Sequence, residues 1–320
     1  MILKLNDIEV EPIEGETILE TARRVGLKIP SMCYSKEAKH KASCMVCAVK
    51  NMANGQIIPS CTTTPVEGMS IDTECDEVKS IRRLSLELLL SDHKADCEAP
   101  CVMVCPKGLN IERMLYFYDK GNMAKAKAVV AGAFDLSSIG CDDCKVPCEK
   151  VCRRGTIDHH VEIRAIIKEI VATDVDVVTP DKTAGTNKSL YHSRLGRFST
   201  ADKERLKESV TATSRCLHCA CAGRDKCKLR SNATDAGINT SRYDATSAMT
   251  LMKKEKVTEK MWFEAAKCIR CGLCVYNSNN GFTFKNRGFI MEICIPEDNK
   301  KNVDDSLASI CPTGALYIEE

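Results

Sequence analysis

Cysteine is the feature that most narrows what this chain can become. The 320 residues include 21 cysteines, and they fall in bursts. The densest stretch runs from His93 to Cys152. It reads HKADCEAPCVMVCP, then a spacer with helical periodicity, then CDDCKVPCEKVC. One histidine and seven cysteines stand there: His93, Cys97, Cys101, Cys105, Cys141, Cys144, Cys148 and Cys152. Eight soft donors suffice for two four-coordinate iron–sulfur centres. Hydrophobic residues make up 44% of the chain, roughly 37% without cysteine, and aromatics 5%, which is thin for an ordinary core. Metal–thiolate bonds would supply the missing cross-links.

Disulfides are the competing use of so many thiols. The start MILKLNDIEV has no signal-peptide apolar region, and no apolar run reaches membrane-spanning length. With an odd cysteine count, this start predicts a cytoplasmic protein whose reduced thiols bind metal. The formal net charge of +2 and the lack of a basic stripe exclude an electrostatic footprint for nucleic acid.

Residues 1–75 open with alternating runs, Ile2-Leu3-Lys4-Leu5 and Ile8-Glu9-Val10, that predict strands. A helix follows, started by a Thr17/Glu20 capping box, striped by Ile18, Ala22 and Val25, and stopped at Gly26. Then come Cys33, Cys44, Cys47 and Cys61, spaced Cys-x10-Cys-x2-Cys-x13-Cys. Four thiolates with a long first gap and a tight pair fit a 2Fe–2S cluster wrapped by a loop. Together with EGETILETARRVGLKIPSMCY, this spacing resembles the N-terminal ferredoxin domain of the large iron–sulfur subunit of complex I, which also occurs in iron-only hydrogenases. The resemblance implies a β-grasp 2Fe–2S domain. Cys75 falls outside the pattern. Residues 76–92, with Ile81, Leu84, Leu86, Leu88, Leu89 and Leu90, predict an apolar helix that delivers His93.

The run CEAPCVMVCPKGLNIERML, with VPCEKVCRRG and VEIRAIIKEI after it, is similar to the iron–sulfur domain of the glutamate synthase small subunit and dihydropyrimidine dehydrogenase. That resemblance implies a helical domain over 76–172 with two 4Fe–4S clusters and interleaved ligands. One cluster would take His93, Cys97, Cys101 and Cys152; the other would take Cys105, Cys144 and Cys148, with Cys141 or a later side chain as fourth ligand. Ile111, Met114, Leu115, Ala124, Ala126, Val129 and Val130 are the expected core between them.

Residues 173–212 are polar and rich in Thr, Ser and Lys, which predicts a linker with one short helix capped by Ser199; His192 there reads as a surface residue. Residues 213–320 form a C-terminal cluster region. Its first burst is Cys216, Cys219, Cys221 and Cys227, a set for one 4Fe–4S cluster or, alternatively, zinc with His218 at hand. Its second is KCIRCGLC with a terminal CPTGAL: Cys268, Cys271, Cys274 and Cys311. In the bacterial ferredoxin run the fourth ligand comes from a distant Cys-Pro. Ser278 stands where the cysteine of a second cluster would fall, so a small ferredoxin-like domain with a single 4Fe–4S cluster is expected, with GFTFKNRGF as a hairpin arm. Cys294 is left over.

No dinucleotide fingerprint, P-loop, nucleophile elbow or His-Glu-x-x-His is present, so no catalytic residue is assigned. The expectation is an α+β chain carrying one 2Fe–2S and three to four 4Fe–4S clusters, an electron-transfer subunit of a hetero-oligomeric oxidoreductase of anaerobic metabolism. The resemblances imply a flavoprotein that handles NAD(P)H as one partner and a second redox subunit or ferredoxin as the other. The competing classes are a zinc-stapled interaction or nucleic-acid-binding protein, and a cluster-based redox sensor.

Overall fold

The computed structural model describes residues 2–93, 96–139, 141–177, 179–181, 203–204, 207, 214–223, 226–238 and 254–319. In chain order its helices are α1 (Ile18–Arg24), α2 (Asp76–Asp92), α3 (Pro100–Val104), α4 (Ile111–Asp119), α5 (Met123–Ala133), α6 (Pro147–Lys150), α7 (Ile163–Ala172), α8 (Lys228–Asp235), α9 (Leu273–Asn277) and α10 (Leu307–Ile310). The described residues of 1–94, 222–245 and 253–320 form one compact unit, and those of 95–221 form another.

The first unit begins with a mixed sheet. Strands β1 (Leu3–Leu5), β2 (Ile8–Val10), β3 (Ala48–Asn51), β4 (Ile57–Pro59) and β5 (Ser70–Asp72) lie in the order β2-β1-β5-β3-β4. β1 is antiparallel to β2 and parallel to β5. Alternation puts Leu3, Leu5 and Val10 inside, where Ile18, Leu19 and Ala22 of α1 meet them. Local chemistry sets the ends of α1. The Thr17 hydroxyl accepts from the Glu20 amide at 3.3 Å, and the Glu20 carboxylate accepts from the Thr17 amide at 2.8 Å. Gly26 then turns the chain at φ +85°, a left-handed conformation that costs other residues a steric penalty.

Helix α2 covers β3 and also packs on α8. Its buried face is Val78, Arg82, Ser85, Leu86 and Leu90, while Leu84 and Leu88 are exposed, so the stripe is narrower than its leucine count suggests. Arg82 Nε donates to the Ala48 carbonyl at 3.0 Å.

The rest of this unit has a three-stranded antiparallel sheet, β6 (Lys254–Lys256), β7 (Met261–Glu264) and β10 (Leu316–Ile318), in the order β10-β7-β6. β8 (Thr283–Lys285), inside the expected hairpin arm at 281–289, pairs with β9 (Glu292–Cys294), which lies beyond that arm. Phe263 and Phe282 meet edge to face at 5.7 Å in its core. Where Gly223 crosses Gly314, a Cβ on Gly223 would sit 2.5 Å from the Gly314 Cα. Backbone on both sides leaves nothing to yield, so Gly223→Ala is expected to cost about 1–3 kcal/mol, read as a lower thermal midpoint of the cluster-loaded chain.

The second unit is helical. Asn110 and Asn122 cap α4 and α5, accepting from Arg113 N at 3.2 Å and Lys125 N at 3.1 Å. Ile111, Met114, Leu115, Ala126, Val129 and Val130 pack with Ile163, Ile166, Ile167 and Ile170 of α7. Ala124, expected in this core, is exposed. The Tyr118 hydroxyl ties α4 to α7 through Glu169 at 2.8 Å. The start of the expected linker runs back over α5, where Lys127 Nζ donates to the Thr173 carbonyl at 2.6 Å. Ser199 with its expected helix start, and His192, lie outside the described residues. No helix among the described residues is long and apolar enough to cross a membrane.

Candidate iron–sulfur sites

All 21 cysteines are free thiols. In the first unit Cys33 and Cys44 lie with their sulfurs 3.5 Å apart on the loop after α1, and Cys47 and Cys61 flank β3 and β4. Hydrogen bonds among these sulfurs split their acidity. Cys33 is driven toward thiolate by Cys44 and then Cys61, and Cys47 by Cys61, whereas Cys44 and Cys61 are pushed up by the same contacts and by burial. The loop is braced from all sides. His40 Nε2 lies 3.2 Å from the Cys61 carbonyl, Ser60 Oγ donates to the Cys47 carbonyl at 2.7 Å, and the Tyr34 hydroxyl donates to Glu20 at 2.7 Å.

The second unit holds two cysteine-lined cavities. One, with about 410 Å³ of empty space, is lined by Cys105, Cys141, Cys144 and Cys148 together with Ile111, Phe134, Pro147 and Ile167. Helix α3 stops at Val104, just before Cys105 and Pro106, and α6 presents Cys148. Arg164 Nη2 donates to the Cys144 carbonyl at 2.5 Å and holds that loop on α7. The second cavity, with about 370 Å³, is lined by Cys101, Cys152, Cys216 and Cys219.

The lining of the second cavity groups the cysteines differently from the sequence reading. Cys216 and Cys219 line it with Cys101 and Cys152, where His93 and Cys97 were expected. The physical reason is an anchor that leaves no mark in cysteine spacing. Ser214 donates through its amide and hydroxyl to Asp119 at 2.8 and 2.7 Å. Arg215 pairs with Asp158. The His218 ring bridges Glu112 at 3.2 Å and Asp119 at 3.0 Å. These contacts pin residues 214–219 to α4 and to the turn after Cys152. Within the same unit the Cys221 amide donates to the Cys97 carbonyl at 3.1 Å. In the first unit His93 is buried at the end of α2, and Cys227 caps α8, its sulfur accepting from Arg230 N at 3.5 Å.

The C-terminal set also lies in the first unit. Cys268, Cys271 and Cys274 lead into and occupy α9, and Cys311 ends α10. Burial first, and then their neighbours in the set, push Cys271 up to about 12 and Cys274 well above the ordinary thiol range; burial does the same to Cys268, to about 12, with Cys311 adding to it. Cys101 and Cys141 are raised in the same way, by burial and then by the charges of their own sets. Thiols that repel one another's ionisation are stable together as thiolates only around positive charge. Ser278 is buried and its hydroxyl accepts from the Phe282 amide at 2.8 Å, so it holds a turn.

A shared backbone device marks the loops. Met45, Val146, His218 and Arg270, each between two cysteines of one burst, sit at φ +53°, +51°, +46° and +56°. Left-handed backbone at non-glycine residues costs on the order of 1–2 kcal/mol each and clusters where function demands it. In two loops the payoff is visible: the His218 amide donates to Cys216 Sγ and the Arg270 amide to Cys268 Sγ, both at 3.3 Å. Such bonds stabilise the thiolate form. Among the described residues no group of three or more His, Cys, Asp and Glu is arranged to hold a single metal ion; the cysteines of the second unit stand around the larger spaces just described. Cys75, before α2, and Cys294, in β9, lie outside every set.

Comparison with known proteins bears on the fold and on the N-terminal domain. A solved NAD+-reducing [NiFe]-hydrogenase in the H2-reduced state matches the fold with a TM-score of 0.52 at 16% identity, covering 99% of this chain and 87% of that one. The chain is 33% identical over 153 residues to the NADP-reducing hydrogenase subunit HndD of Solidesulfovibrio fructosivorans, covering 43% of this chain and 25% of the relative. It is 33% identical over 116 residues to an NADH-quinone oxidoreductase subunit of Rhizobium meliloti, covering 36% of this chain and 13% of the relative. The chain thus spans a quarter or less of these two curated relatives. Residues 2–75 match the 2Fe-2S iron-sulfur cluster binding domain family, so the cysteine-rich N-terminal sheet is a ferredoxin-type iron–sulfur domain.

Proposed function

We propose that this chain is a multi-cluster electron-transfer subunit of an oxidoreductase complex. The observation that carries the reading is the gathering of cysteines from distant segments into separate sets of four. Cys33, Cys44, Cys47 and Cys61 would hold a 2Fe–2S cluster in a β-grasp domain. Cys105, Cys141, Cys144 and Cys148 would hold one 4Fe–4S cluster, and Cys101, Cys152, Cys216 and Cys219 a second, in the helical domain. Cys268, Cys271, Cys274 and Cys311 would hold a third in a ferredoxin-like domain. His93, Cys97, Cys221 and Cys227 are donors outside these sets, and the expected count of 4Fe–4S centres is three to four.

Iron–sulfur clusters supply reversible one-electron storage. The chain's own part is to exclude water, to aim amide hydrogens at sulfur and to set the local charge, the levers that fix reduction potentials. The relatives are subunits of hydrogenases and NADH-quinone oxidoreductases. On that basis one partner would be a flavoprotein that handles NAD(P)H, and the other a second redox subunit or ferredoxin. Chemistry on the small substrate would reside in those partners, and the free thiols fit a reducing, cytoplasmic setting.

Anaerobic purification with iron and sulfide analysis tests this reading. About fourteen to eighteen irons per chain are expected from these ligand counts, with paramagnetic signals after dithionite. About two irons would confine the clusters to the first domain, and stoichiometric zinc would point to the zinc-stapled alternative.

A further inference from the structure

The first and last cysteine sets along the chain share one cation. Lys228, the first residue of α8, reaches both within the first unit. Its ammonium donates to the carbonyl of Tyr34, the residue after Cys33, at 3.1 Å. Its amide donates to the carbonyl of Pro312, the residue after Cys311, at 2.8 Å. The ammonium and the amide of this one residue thus lie beside Cys33 and Cys311 respectively.

Uncharged contacts hold the same surfaces together. Asn232 of α8 donates to the Ser31 carbonyl at 3.2 Å. Asn277 of α9 accepts from the Lys39 amide at 2.9 Å and donates to the Lys39 carbonyl at 2.8 Å. Lys228 differs from these in bringing a half-buried positive charge to the point where the two sets meet.

We propose that Lys228 is a cationic bridge that raises the reduction potentials of the 2Fe–2S and the C-terminal 4Fe–4S centres together. The inference rests on the cluster assignment above. Adding an electron makes a cluster more negative, so a cation held beside it favours the reduced form, and strongly so where water is excluded. One residue shared by two centres moves both in the same direction and preserves the order between them.

The test is an EPR-monitored redox titration of the full, cluster-loaded chain. The C-terminal signal is identified by its loss in Cys311→Ala. Lys228→Met, with Lys228→Gln as a second variant, is expected to shift the reduction equilibrium of both centres about three- to tenfold toward the oxidised form, tenfold being about 59 mV for one electron. Lys228→Arg is expected to restore most of the shift. Asn277→Ala loosens the same contact without touching charge and is expected to leave both potentials in place. A change under about twofold at either centre in both uncharged variants, or an equal shift in Asn277→Ala, would overturn the proposal. Wild-type material lacking either signal would instead remove the cluster assignment, and the bridge with it.

Discussion

Replacing Cys101 or Cys219 with alanine is expected to remove one and the same centre. The two residues lie far apart in sequence, and spacing assigns them to different clusters. In the fold they line one cavity with Cys152 and Cys216. Each single variant should lose up to about four irons and the same paramagnetic signal, and the double variant should lose no more than either alone. Cys148→Ala serves as the contrast, since Cys148 lines the other cavity. Combined with Cys219→Ala it should double the loss. The rule is that of any coupled pair: residues acting through a shared partner are not additive, and independent ones are. Twice the loss in the Cys101/Cys219 double variant would show that two separate centres exist and that the cavity is not a ligand set.

Removing iron is expected to unfold part of the second unit and spare the rest. Helices α3 and α6 have 5 and 4 residues. Helices that short do not persist on their own propensity, because nucleation costs more than so few hydrogen bonds return. Under the proposed assignment, what holds them is the cysteine ligand each would carry, Cys101 on α3 and Cys148 on α6. Helices α4, α5 and α7 have 9, 11 and 10 residues and bury a shared aliphatic core. Hydrogen exchange of the iron-chelated full chain should therefore speed up at least about tenfold, about 1.4 kcal/mol of lost local stability, over residues 97–109 and 141–157. The interior of α4, α5 and α7 should stay protected. Equal protection with and without iron would mean that apolar packing alone builds the cavities.

Much of this molecule was legible along the chain because its causes are local. The Thr17/Glu20 box and Gly26 bound α1 where the motif predicts, since a cap involves atoms three residues apart. Strands β1 and β2 follow from alternation, and α2 from helical apolar spacing. Cys105, Cys141, Cys144 and Cys148, which line one cavity, come from two neighbouring bursts, and Cys33, Cys44, Cys47 and Cys61 fall within the ferredoxin-type domain.

Tertiary structure decided what depends on contacts that spacing does not encode. Cys216 and Cys219 join Cys101 and Cys152 because Ser214, Arg215 and His218 find carboxylates on α4 and beside Asp158, and no cysteine pattern records those partners. The meeting of the first and last cysteine sets at Lys228 is of the same kind, made by an amide and an ammonium that lie in no metal motif. Sequence by itself determined that the cysteines fall in separate bursts and where α1 and α2 begin. The folded backbone determined which thiolates share a cavity, because ligation depends on distance in space and the anchors that set those distances are ordinary polar side chains.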